Sequence, residues 1–269
     1  MGIFDGVLLA TDADGTLLNR RGEVTPAVRD ALLSFTAQGG RFAVATGRSF
    51  VGVAELCPLL PINAPAVLSN GAFIYDYTAK RELHAEWLSG GFEEVLRDVL
   101  ARFPGIGTEI HWPDRVCILN RNRWNDLHMR AVRCTFEEID DPWKTPPPWF
   151  KLMFVDEPKT LWEVEEYANT KFGEEFAFFF SAECLLEMQN AGVDKANGVA
   201  KVAELLGIKP EHVYTAGDAG NDLGMLRAYE SFAPASGTEQ AKNTAKHIVS
   251  GCNDGCLVDV VRFLEERYS

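Results

Sequence analysis

The sequence predicts an α/β protein, in which a doubly wound parallel sheet is interrupted by a second, α+β domain. Two observations predict this fold class. Short apolar runs alternate with helical segments over residues 1–81 and again over 191–269, as in parallel sheets covered by helices on both faces. Between them the composition changes, because all six tryptophans lie from Trp87 to Trp162. We therefore predict a discontinuous, Rossmann-like core over 1–81 and 191–269 and an inserted domain over 82–190.

The first strand and helix of the core have clear boundary signals. The apolar run Val7–Thr11 predicts a buried strand. Thr25 and Pro26 are typical of the N-cap and first position of a helix, because threonine accepts a backbone hydrogen bond and proline lacks an amide hydrogen that would stay unpaired. The predicted buried stripe of this helix is Val28, Leu32 and Phe35. Further core strands are predicted over 41–45, 66–69 and 73–75.

The remaining elements follow the same patterns of apolar spacing. In the inserted domain we predict helices over 91–102 and 158–172, and strands near 107–111, 115–120, 150–155, 176–181 and 185–189, which form an open sheet. The stretch 121–147 has no clear pattern. The core then resumes with helices over 196–206, 222–228 and 256–267, and strands near 213–216, 231–233 and 247–249.

Composition and charge argue against several classes of partner. The formal net charge of −13 disfavours nucleic acid, since affinity for a polyanion depends on Lys and Arg at its phosphates. No apolar run reaches the length of a membrane span, and the first residues lack the basic and long apolar regions of a signal peptide. The six cysteines are scattered, so we expect reduced thiols and a cytoplasmic location. A phosphate site in so acidic a chain would need local positive charge.

Two carboxylates directly follow the first predicted strand. They belong to the motif D-x-D-G-T at residues 12–16, in which Gly15 lets the backbone leave the strand sharply. Asp12 is our candidate nucleophile, because a carboxylate that attacks an electrophile divides one difficult displacement into two easier steps. Asp14 is the candidate general acid and base, since a like-charged neighbour keeps it partly protonated. The alternative for Asp14 is a structural role as a turn-capping aspartate.

A second acidic motif, G-D-A-G-N-D at residues 217–222, follows the predicted strand over 213–216. The carboxyl ends of parallel strands meet at one edge of a sheet, so the two motifs can present their carboxylates together. Mg²⁺ prefers oxygen ligands and usually lies between one or two carboxylates and a substrate phosphate. The sequence therefore predicts a magnesium site, and the alternative is two ordinary polar turns.

Four motifs in a fixed order make the chain similar to a known family. They are D-x-D-G-T at 12–16, V-A-T-G-R at 44–48, D-K-A-N-G at 194–198 and G-D-A-G-N-D-L-G-M-L at 217–226, with a weaker match, S-N-G-A, at 69–72. The chain thereby resembles the haloacid dehalogenase (HAD) superfamily phosphatases of the Cof type, which carry a large α/β cap inserted in the core. The resemblance covers nearly the whole chain, although the inserted domain matches only in its pattern of elements.

The resemblance implies a Mg²⁺-dependent phosphatase that works through an aspartyl-phosphate on Asp12, with Asp14 as acid and base. It implies that Mg²⁺ is bound by the carboxylates of Asp12 and Asp218 and by the main-chain carbonyl of Asp14. Asp222 is expected to orient Lys195 or a metal-bound water. The residues expected to bind phosphate are Ala13, Thr46, Gly47, Lys195 and Asn221. By themselves, a Thr-Gly pair and a single lysine would indicate nothing.

An arginine-rich stretch in the inserted domain allows two interpretations. Residues 115–133 contain five arginines and one aspartate, and Trp112, Trp124 and His111 flank or interleave with them. In a substrate site, an aromatic face would stack on a sugar while an arginine pairs with a second anionic group. In the simpler interpretation, which we favour, the arginines form a solvated basic face and the tryptophans fill a core. The five arginines are Arg115, Arg121, Arg123, Arg130 and Arg133.

We therefore predict a phosphatase for a small phosphorylated metabolite, with a sugar phosphate as the favoured class and the inserted domain as the source of substrate choice. One alternative is a phosphomutase of the same superfamily, which passes the phosphoryl group to a second sugar hydroxyl. Another is a non-enzymatic protein that binds a phosphorylated metabolite on an inactive scaffold. Such a protein would be expected to lack a carboxylate or the lysine, whereas all of them are present.

Overall fold

The chain forms two compact units in the computed structural model, which describes residues 2–112, 115–132, 134–145 and 147–269. The first unit contains the chain up to Gly47, together with Val53–Ala85 and Asp194–Ser269. The second contains Arg48–Gly52 and Glu86–Val193. Within the described ranges, no helix combines the length and the apolar character needed to cross a bilayer.

The described strands form three sheets with the orders β14-β13-β12-β1-β2, β10-β11-β9-β6-β7-β8 and β3-β4-β5. The strands are, in chain order, β1 (Leu8–Thr11), β2 (Arg41–Val44), β3 (Ala66–Leu68), β4 (Phe73–Asp76), β5 (Arg81–Ala85), β6 (Gly107–His111), β7 (Val116–Leu119), β8 (Glu137–Ile139), β9 (Lys151–Val155), β10 (Phe176–Ala182), β11 (Leu185–Asn190), β12 (Val213–Ala216), β13 (Glu230–Pro234) and β14 (His247–Val249). The helices are α1 (Pro26–Ala37), α2 (Phe50–Ala54), α3 (Phe92–Arg102), α4 (Arg123–Ala131), α5 (Pro158–Phe172), α6 (Lys195–Leu206), α7 (Leu223–Ala228), α8 (Glu239–Thr244) and α9 (Cys256–Tyr268).

The five-stranded sheet of the first unit is parallel throughout and has helices on both faces. Leu9 of β1 belongs to an apolar cluster with α1 and α9, whereas Leu8 and Ala10 belong to a second cluster with α6 and α7. Successive residues of a strand point to opposite faces, so β1 is buried from both sides. The predicted doubly wound α/β fold is therefore confirmed. Helix α1 buries the stripe predicted for it, Val28, Leu32 and Phe35.

The register of the parallel sheet places the two acidic motifs at one edge. Thr11, the last residue of β1, pairs with Ala216, the last residue of β12. Asp12 and Gly217 therefore leave the sheet side by side, and the amide of Asp12 still donates to the carbonyl oxygen of Ala216 at 2.8 Å. This edge positions the candidate site.

Strands β3 and β4 depart from the predicted pattern of alternating strands and helices. They pair antiparallel with each other, and β5, which the sequence did not indicate, adds to β4. Only residues 69–72 connect β3 to β4, which is too short a connection for a crossover between parallel strands. A single parallel bridge between Ala45 and Val67 links β3 to the large sheet.

One face of the six-stranded sheet of the second unit is apolar, whereas the other combines buried charged residues such as Glu109 and Lys151 with small apolar clusters. Helices α3 and α5 pack on the apolar face against β6, β9 and β11. The stretch 121–147, for which we predicted no element, contains α4 and β8. Helix α4 forms because Asn122 caps it, accepting from the amides of Trp124 and Asn125. All six cysteines of the chain are free thiols.

Candidate active site

Asp12 lies at the carboxyl end of β1 and is 5% exposed. Its backbone is held on both sides, because its amide donates to Ala216 and its carbonyl oxygen accepts from the amide of Leu17 at 3.3 Å. Its side-chain Oδ1 accepts a hydrogen bond from Lys195 Nζ at 2.6 Å. The carboxylate is therefore fixed in orientation and nearly removed from water.

Lys195 is the first residue of α6 and is fully buried. The helix begins here because Asp194 Oδ1 accepts from the amide of Asn197 at 2.7 Å, as an N-cap does. Lys195 Nζ donates to Asp12 Oδ1 and to Asp222 Oδ1, both at 2.6 Å. Burial lowers the pKa of Lys195, but the two carboxylates outweigh burial and hold that pKa above its ordinary value. The lysine is a fixed positive charge between two acidic motifs.

Asp222 links this lysine to the loop after β12. Its Oδ2 accepts from the amides of Asp218 and Ala219 at 2.8 and 3.0 Å, while Oδ1 accepts from Lys195. The carboxylate lies so close to Gly217 that a Cβ at that position would be 2.4 Å from Asp222 Cγ. Both oxygens of Asp222 thus position protein groups, the lysine on one side and the loop backbone on the other.

Asp218 completes a group of three close carboxylates. Oxygen atoms of Asp12, Asp218 and Asp222 lie within 4.8 Å of one another. Thr16 Oγ1 donates to Asp218 Oδ1 at 3.4 Å, so the first motif also supports the second. Gly15, with a φ of +81°, passes so near that a Cβ there would lie 2.5 Å from Asp218 Oδ2. The motif therefore needs glycine at this position for two reasons, its backbone angle and its clearance.

The carboxylates of the site carry more negative charge than Lys195 balances. Burial raises the pKa of Asp12 well above its ordinary value, Lys195 opposes that rise, and the neighbouring carboxylates add to it. Burial, followed by the charge of Asp222, raises the pKa of Asp218 to about 7. Their ligand atoms are all oxygens, which is the donor set that Mg²⁺ prefers. The residues therefore fit a hard divalent cation.

Thr46 lies on a further loop of the first unit, whereas Asn221 lies on the loop after β12 together with Asp218 and Asp222. Thr46 follows β2 and is 1% exposed, and its amide donates to the carbonyl oxygen of Val67 at 2.8 Å. Asn221 Nδ2 donates to Asn70 Oδ1 at 3.0 Å. Gly47 lies against the same Asn70, since a Cβ at Gly47 would be 3.1 Å from Asn70 Oδ1. The predicted phosphate-binding residues of the second and fourth motifs thus share one neighbour.

A family model described as haloacid dehalogenase-like hydrolase matches residues 9–261. The chain belongs to this family. This chain is 32% identical over 231 residues to YxeH of Bacillus subtilis (strain 168), which is named as a phosphatase. The match covers 81% of this chain and 83% of YxeH.

Solved structures of the haloacid dehalogenase type share the fold. A haloacid dehalogenase-like hydrolase from Bacteroides thetaiotaomicron has a TM-score of 0.86 at 23% identity, covering 96% of this chain and 99% of that one. A sugar phosphatase of HAD subclass IIB also has a TM-score of 0.86, at 16% identity, with 96% and 99% covered. The Cof-type resemblance is therefore confirmed, and the protein is a phosphatase.

The structure brings four of the predicted residues of this HAD phosphatase together. Asp12, Lys195, Asp218 and Asp222 form one connected cluster. Asp14 lies outside the close carboxylate set, with an exposed side chain two residues beyond Asp12. The predicted amide-bearing residue Ala13 is buried within the same motif, where its carbonyl oxygen accepts from Leu18 at 2.8 Å.

Sequence reasoning missed residues that support this cluster or the loops beside it that carry Thr46 and Asn221. Asn70 belongs to the weakest of the matched motifs, for which we predicted no role. Thr16 stood within D-x-D-G-T without a function of its own. Thr238, whose amide and hydroxyl donate to the Asp218 carbonyl oxygen at 2.8 and 3.0 Å, caps α8 and belongs to no motif. Only the first two could have been found from a sequence signal.

The arginine-rich stretch of the HAD phosphatase lies in the second unit and has its own partners there. The guanidinium groups of Arg115 and Arg123 lie 4.2 and 4.6 Å from the ring centres of Trp112 and Trp124. Arg121 pairs with Asp126 at 2.7 Å. Trp112 is 7% exposed and belongs to the apolar cluster of this unit, in agreement with the structural interpretation of that tryptophan. Arg133 lies outside the described residues.

Proposed function

We propose that the protein is a Mg²⁺-dependent phosphatase that hydrolyses a small phosphorylated metabolite through an aspartyl-phosphate on Asp12. The observation that carries this proposal is the buried Asp12 carboxylate, held by Lys195 at 2.6 Å and crowded by Asp218 and Asp222. A carboxylate in such a place is costly for stability alone, because burial disfavours its charge. A role as the nucleophile that attacks phosphorus accounts for this unfavourable burial of the Asp12 carboxylate.

Asp12 has the geometry of a positioned nucleophile. Lys195 holds the carboxylate through Oδ1, which leaves the second oxygen as the attacking atom. Attack forms a bond from that oxygen to phosphorus and breaks the bond to the leaving oxygen. The leaving oxygen takes a proton from Asp14, whose side chain is exposed at the carboxyl end of β1. Water then attacks phosphorus, gives its proton to Asp14 and releases Asp12.

The phosphoryl oxygens need positive charge and hydrogen-bond donors. An ammonium group has three donors, of which Asp12 and Asp222 take two, so Lys195 can turn the third to a phosphoryl oxygen. The Thr46 hydroxyl, the Asn221 amide and the main-chain amides of Ala13 and Gly47 are the other proposed donors, as the family resemblance implies. Donors fixed by the fold do not have to reorganise during the reaction, and this lowers its barrier.

The cation would be held by the carboxylates of Asp12 and Asp218 and by the main-chain carbonyl of Asp14. When bound, Mg²⁺ supplies charge neutralisation between an anionic nucleophile and an anionic phosphate. Asp222 is better suited to positioning than to ligation, because its oxygens already accept from Lys195 and from two backbone amides.

We further propose a sugar phosphate as the substrate and the inserted domain, about 82–190, as the part that selects it. A structural neighbour of the same fold is a sugar phosphatase. The proposed catalytic and phosphate-binding residues all belong to the first unit and would contact only the phosphoryl group and its ester oxygen, which every phosphate ester has in common. Discrimination between esters then has to come from contacts with the leaving group.

Phosphate release from a panel of phosphorylated sugars, nucleotides and p-nitrophenyl phosphate tests this function. We expect Mg²⁺-dependent release with a preference for sugar phosphates. Arg115→Ala and Arg130→Ala should change kcat/KM by different factors for different sugars and little for p-nitrophenyl phosphate. One common factor for all esters would contradict a role in selection, and strict dependence on a bisphosphate activator would indicate a phosphomutase.

Acid quenching with a phosphate-labelled substrate tests the covalent step. The label should stay on the protein, in the peptide that contains Asp12, and should be absent from Asp12→Asn. Asp30→Asn, which changes an exposed aspartate of α1, is the matched control and should keep both label and activity. Rapid turnover without any protein-bound label would contradict the aspartyl-phosphate.

A further inference from the structure

The turn between β3 and β4 has an unusual backbone. Ser69, Asn70 and Gly71 all have positive φ values, 47°, 54° and 104°, and all three are buried. For a residue with a side chain, this left-handed conformation costs about 1–2 kcal/mol. Two other described non-glycine residues with positive φ, Lys80 and Asn120, lie at exposed positions. Buried strain of this kind persists only where the surroundings hold it, and it clusters at functional sites.

Asn70 contacts two of the loops that carry proposed phosphate-binding residues. Its amide donates to the carbonyl oxygen of Thr46 at 3.0 Å. Its Oδ1 accepts from Asn221 Nδ2 at 3.0 Å, across 151 positions of sequence. The same oxygen lies close to Gly47, where a Cβ would be 3.1 Å away. The backbone of Asn70 thus holds one loop while its side chain holds another.

The next residue of the turn contacts the third such segment. A Cβ at Gly71 would lie 2.1 Å from the carbonyl oxygen of Asp194, the residue that caps α6. Lys195 follows Asp194 directly. One three-residue turn therefore lies against the loop after β2, the start of α6 and, through the Asn70 side chain, the loop after β12.

We propose that Asn70 is a positioning residue, which sets the orientation of the Asn221 amide for the phosphoryl group. This inference rests on the proposed function of the same site. The amide nitrogen of Asn221 carries two hydrogens, and Asn70 accepts one of them. The plane of the amide is then fixed, and its second hydrogen is the donor for a phosphoryl oxygen.

The left-handed conformation allows Asn70 to form hydrogen bonds with both loops. Its amide and its side-chain carbonyl are a donor and an acceptor on one residue, and they bond to Thr46 and Asn221 respectively. Asparagine is among the few residues that tolerate this conformation and carry a short side-chain acceptor. The strain is then the consequence of holding two loops from one position.

Asn70→Gly removes the side chain and keeps the backbone conformation, since glycine adopts positive φ without strain. We expect it to fold, with a Tm equal to or above that of the wild type. Its kcat/KM should fall on the order of 10-fold to 100-fold, as for a misplaced binding group. The factor should be the same for sugar phosphates and for p-nitrophenyl phosphate, because the affected donor contacts only the phosphoryl group.

A double-mutant cycle with Asn221→Ala separates positioning from a general structural effect. If Asn70 acts through Asn221, then Asn70→Gly should change kcat/KM by less than about twofold in the Asn221→Ala protein. Full additivity of the two changes, or a wild-type kcat/KM for Asn70→Gly, would overturn the inference.

Two control variants and one reference variant complete the experiment. Lys80→Gly relieves strain at an exposed left-handed residue, and Asn63→Ala removes a structural asparagine that bonds the backbone of Phe42 and Gly40. Both should keep the wild-type kcat/KM. Asp12→Asn is measured in parallel: activity in that variant would refute the proposed function itself, whereas an inactive Asp12→Asn beside a fully active Asn70→Gly would refute only the role of Asn70.

Discussion

Each of the two units buries a cluster of charged side chains, and the two clusters differ in charge balance. In the first unit Asp12, Asp218 and Asp222 lie close together around Lys195. In the second unit Glu109 of β6 is fully buried, and His111 and His128 lie 3.1 and 2.9 Å from its Oε2. The first cluster contains an excess of carboxylates, whereas the second surrounds one carboxylate with possible donors.

The difference appears in the direction of the pKa shifts. Burial raises the pKa of Asp12 and Asp218, and neighbouring carboxylates add to the rise. Burial also raises the pKa of Glu109, but hydrogen bonds from His111 and His128 outweigh it and bring that pKa below its ordinary range. Similar burial therefore has opposite outcomes. Partners within the fold stabilise the second cluster, whereas we propose that a bound cation and a substrate stabilise the first.

Asp12→Asn should have the largest effect on activity. An amide neither attacks phosphorus nor binds a cation well, so we expect the phosphatase rate to fall below about 1% of wild type. The folded protein should survive, with a Tm in the absence of metal equal to or above that of the wild type, because a crowded buried charge is removed. Steady-state kinetics and thermal unfolding check both parts. More than a few per cent of residual rate in the purified, folded variant would refute the assignment of Asp12.

Removal of Mg²⁺ should abolish activity, and excess Ca²⁺ should inhibit it. Mg²⁺ requires compact octahedral geometry, whereas Ca²⁺ accepts more ligands and can draw both Asp12 oxygens to itself. Mg²⁺ should also raise Tm, because at 100 times its Kd a bound ligand adds about 2.7 kcal/mol to the free energy of unfolding. Asp218→Asn should reduce that rise in a thermal titration without substrate. Full activity after exhaustive chelation would contradict a metal-dependent site.

Glu109→Gln should affect stability in the opposite direction from Asp12→Asn. Removing one partner from a buried charged network costs about 3–5 kcal/mol. The depressed pKa of Glu109 adds stability above its ordinary value of 4.5, and this contribution is lost as the pH falls below that value. Denaturant unfolding at pH 7 and pH 4 should therefore show a smaller difference between variant and wild type at pH 4.

Glu138→Gln is the matched control for Glu109→Gln within the second unit. Its side chain is 59% exposed and lies 3.2 Å from Arg121. Exposed pairs contribute little, so a large effect of this variant, or none of Glu109→Gln, would mean that burial does not decide the energetics here.

Glu230→Gln should have the smallest effect. Glu230 accepts from His247 Nε2 at 2.7 Å and from Lys246 Nζ at 3.2 Å, and its side chain is 22% exposed. The bond from His247 lowers the pKa of Glu230, so its contribution is present above pH 4.5 and is lost as the pH falls further. We expect a loss of about 0.5–1 kcal/mol at pH 7, measured by denaturant unfolding. If Glu230→Gln lowered the free energy of unfolding as much as Glu109→Gln, burial would not explain the difference in stability between the two sites.

Sequence signals were sufficient where they are local. Thr25 and Pro26 marked the start of α1, and the helix predicted over 196–206 begins one residue earlier, at Lys195. Helix α4 was missed because its start does not show the usual sequence pattern of Ser or Thr followed three residues later by Glu or Gln. Asn122 and Asn125 take these two positions instead, and Asn125 Oδ1 accepts from the Asn122 amide.

The sequence by itself determined the fold class, the family and the edge at which Asp12 and Asp218 meet, because parallel strands bring their carboxyl ends together. Only the tertiary structure decided which side chains bond there. Lys195 reaches Asp12 across 183 positions and Asn221 reaches Asn70 across 151. Apolar spacing specifies which face of an element is buried, and it carries no information about which polar groups converge when loops from distant strands close on one another.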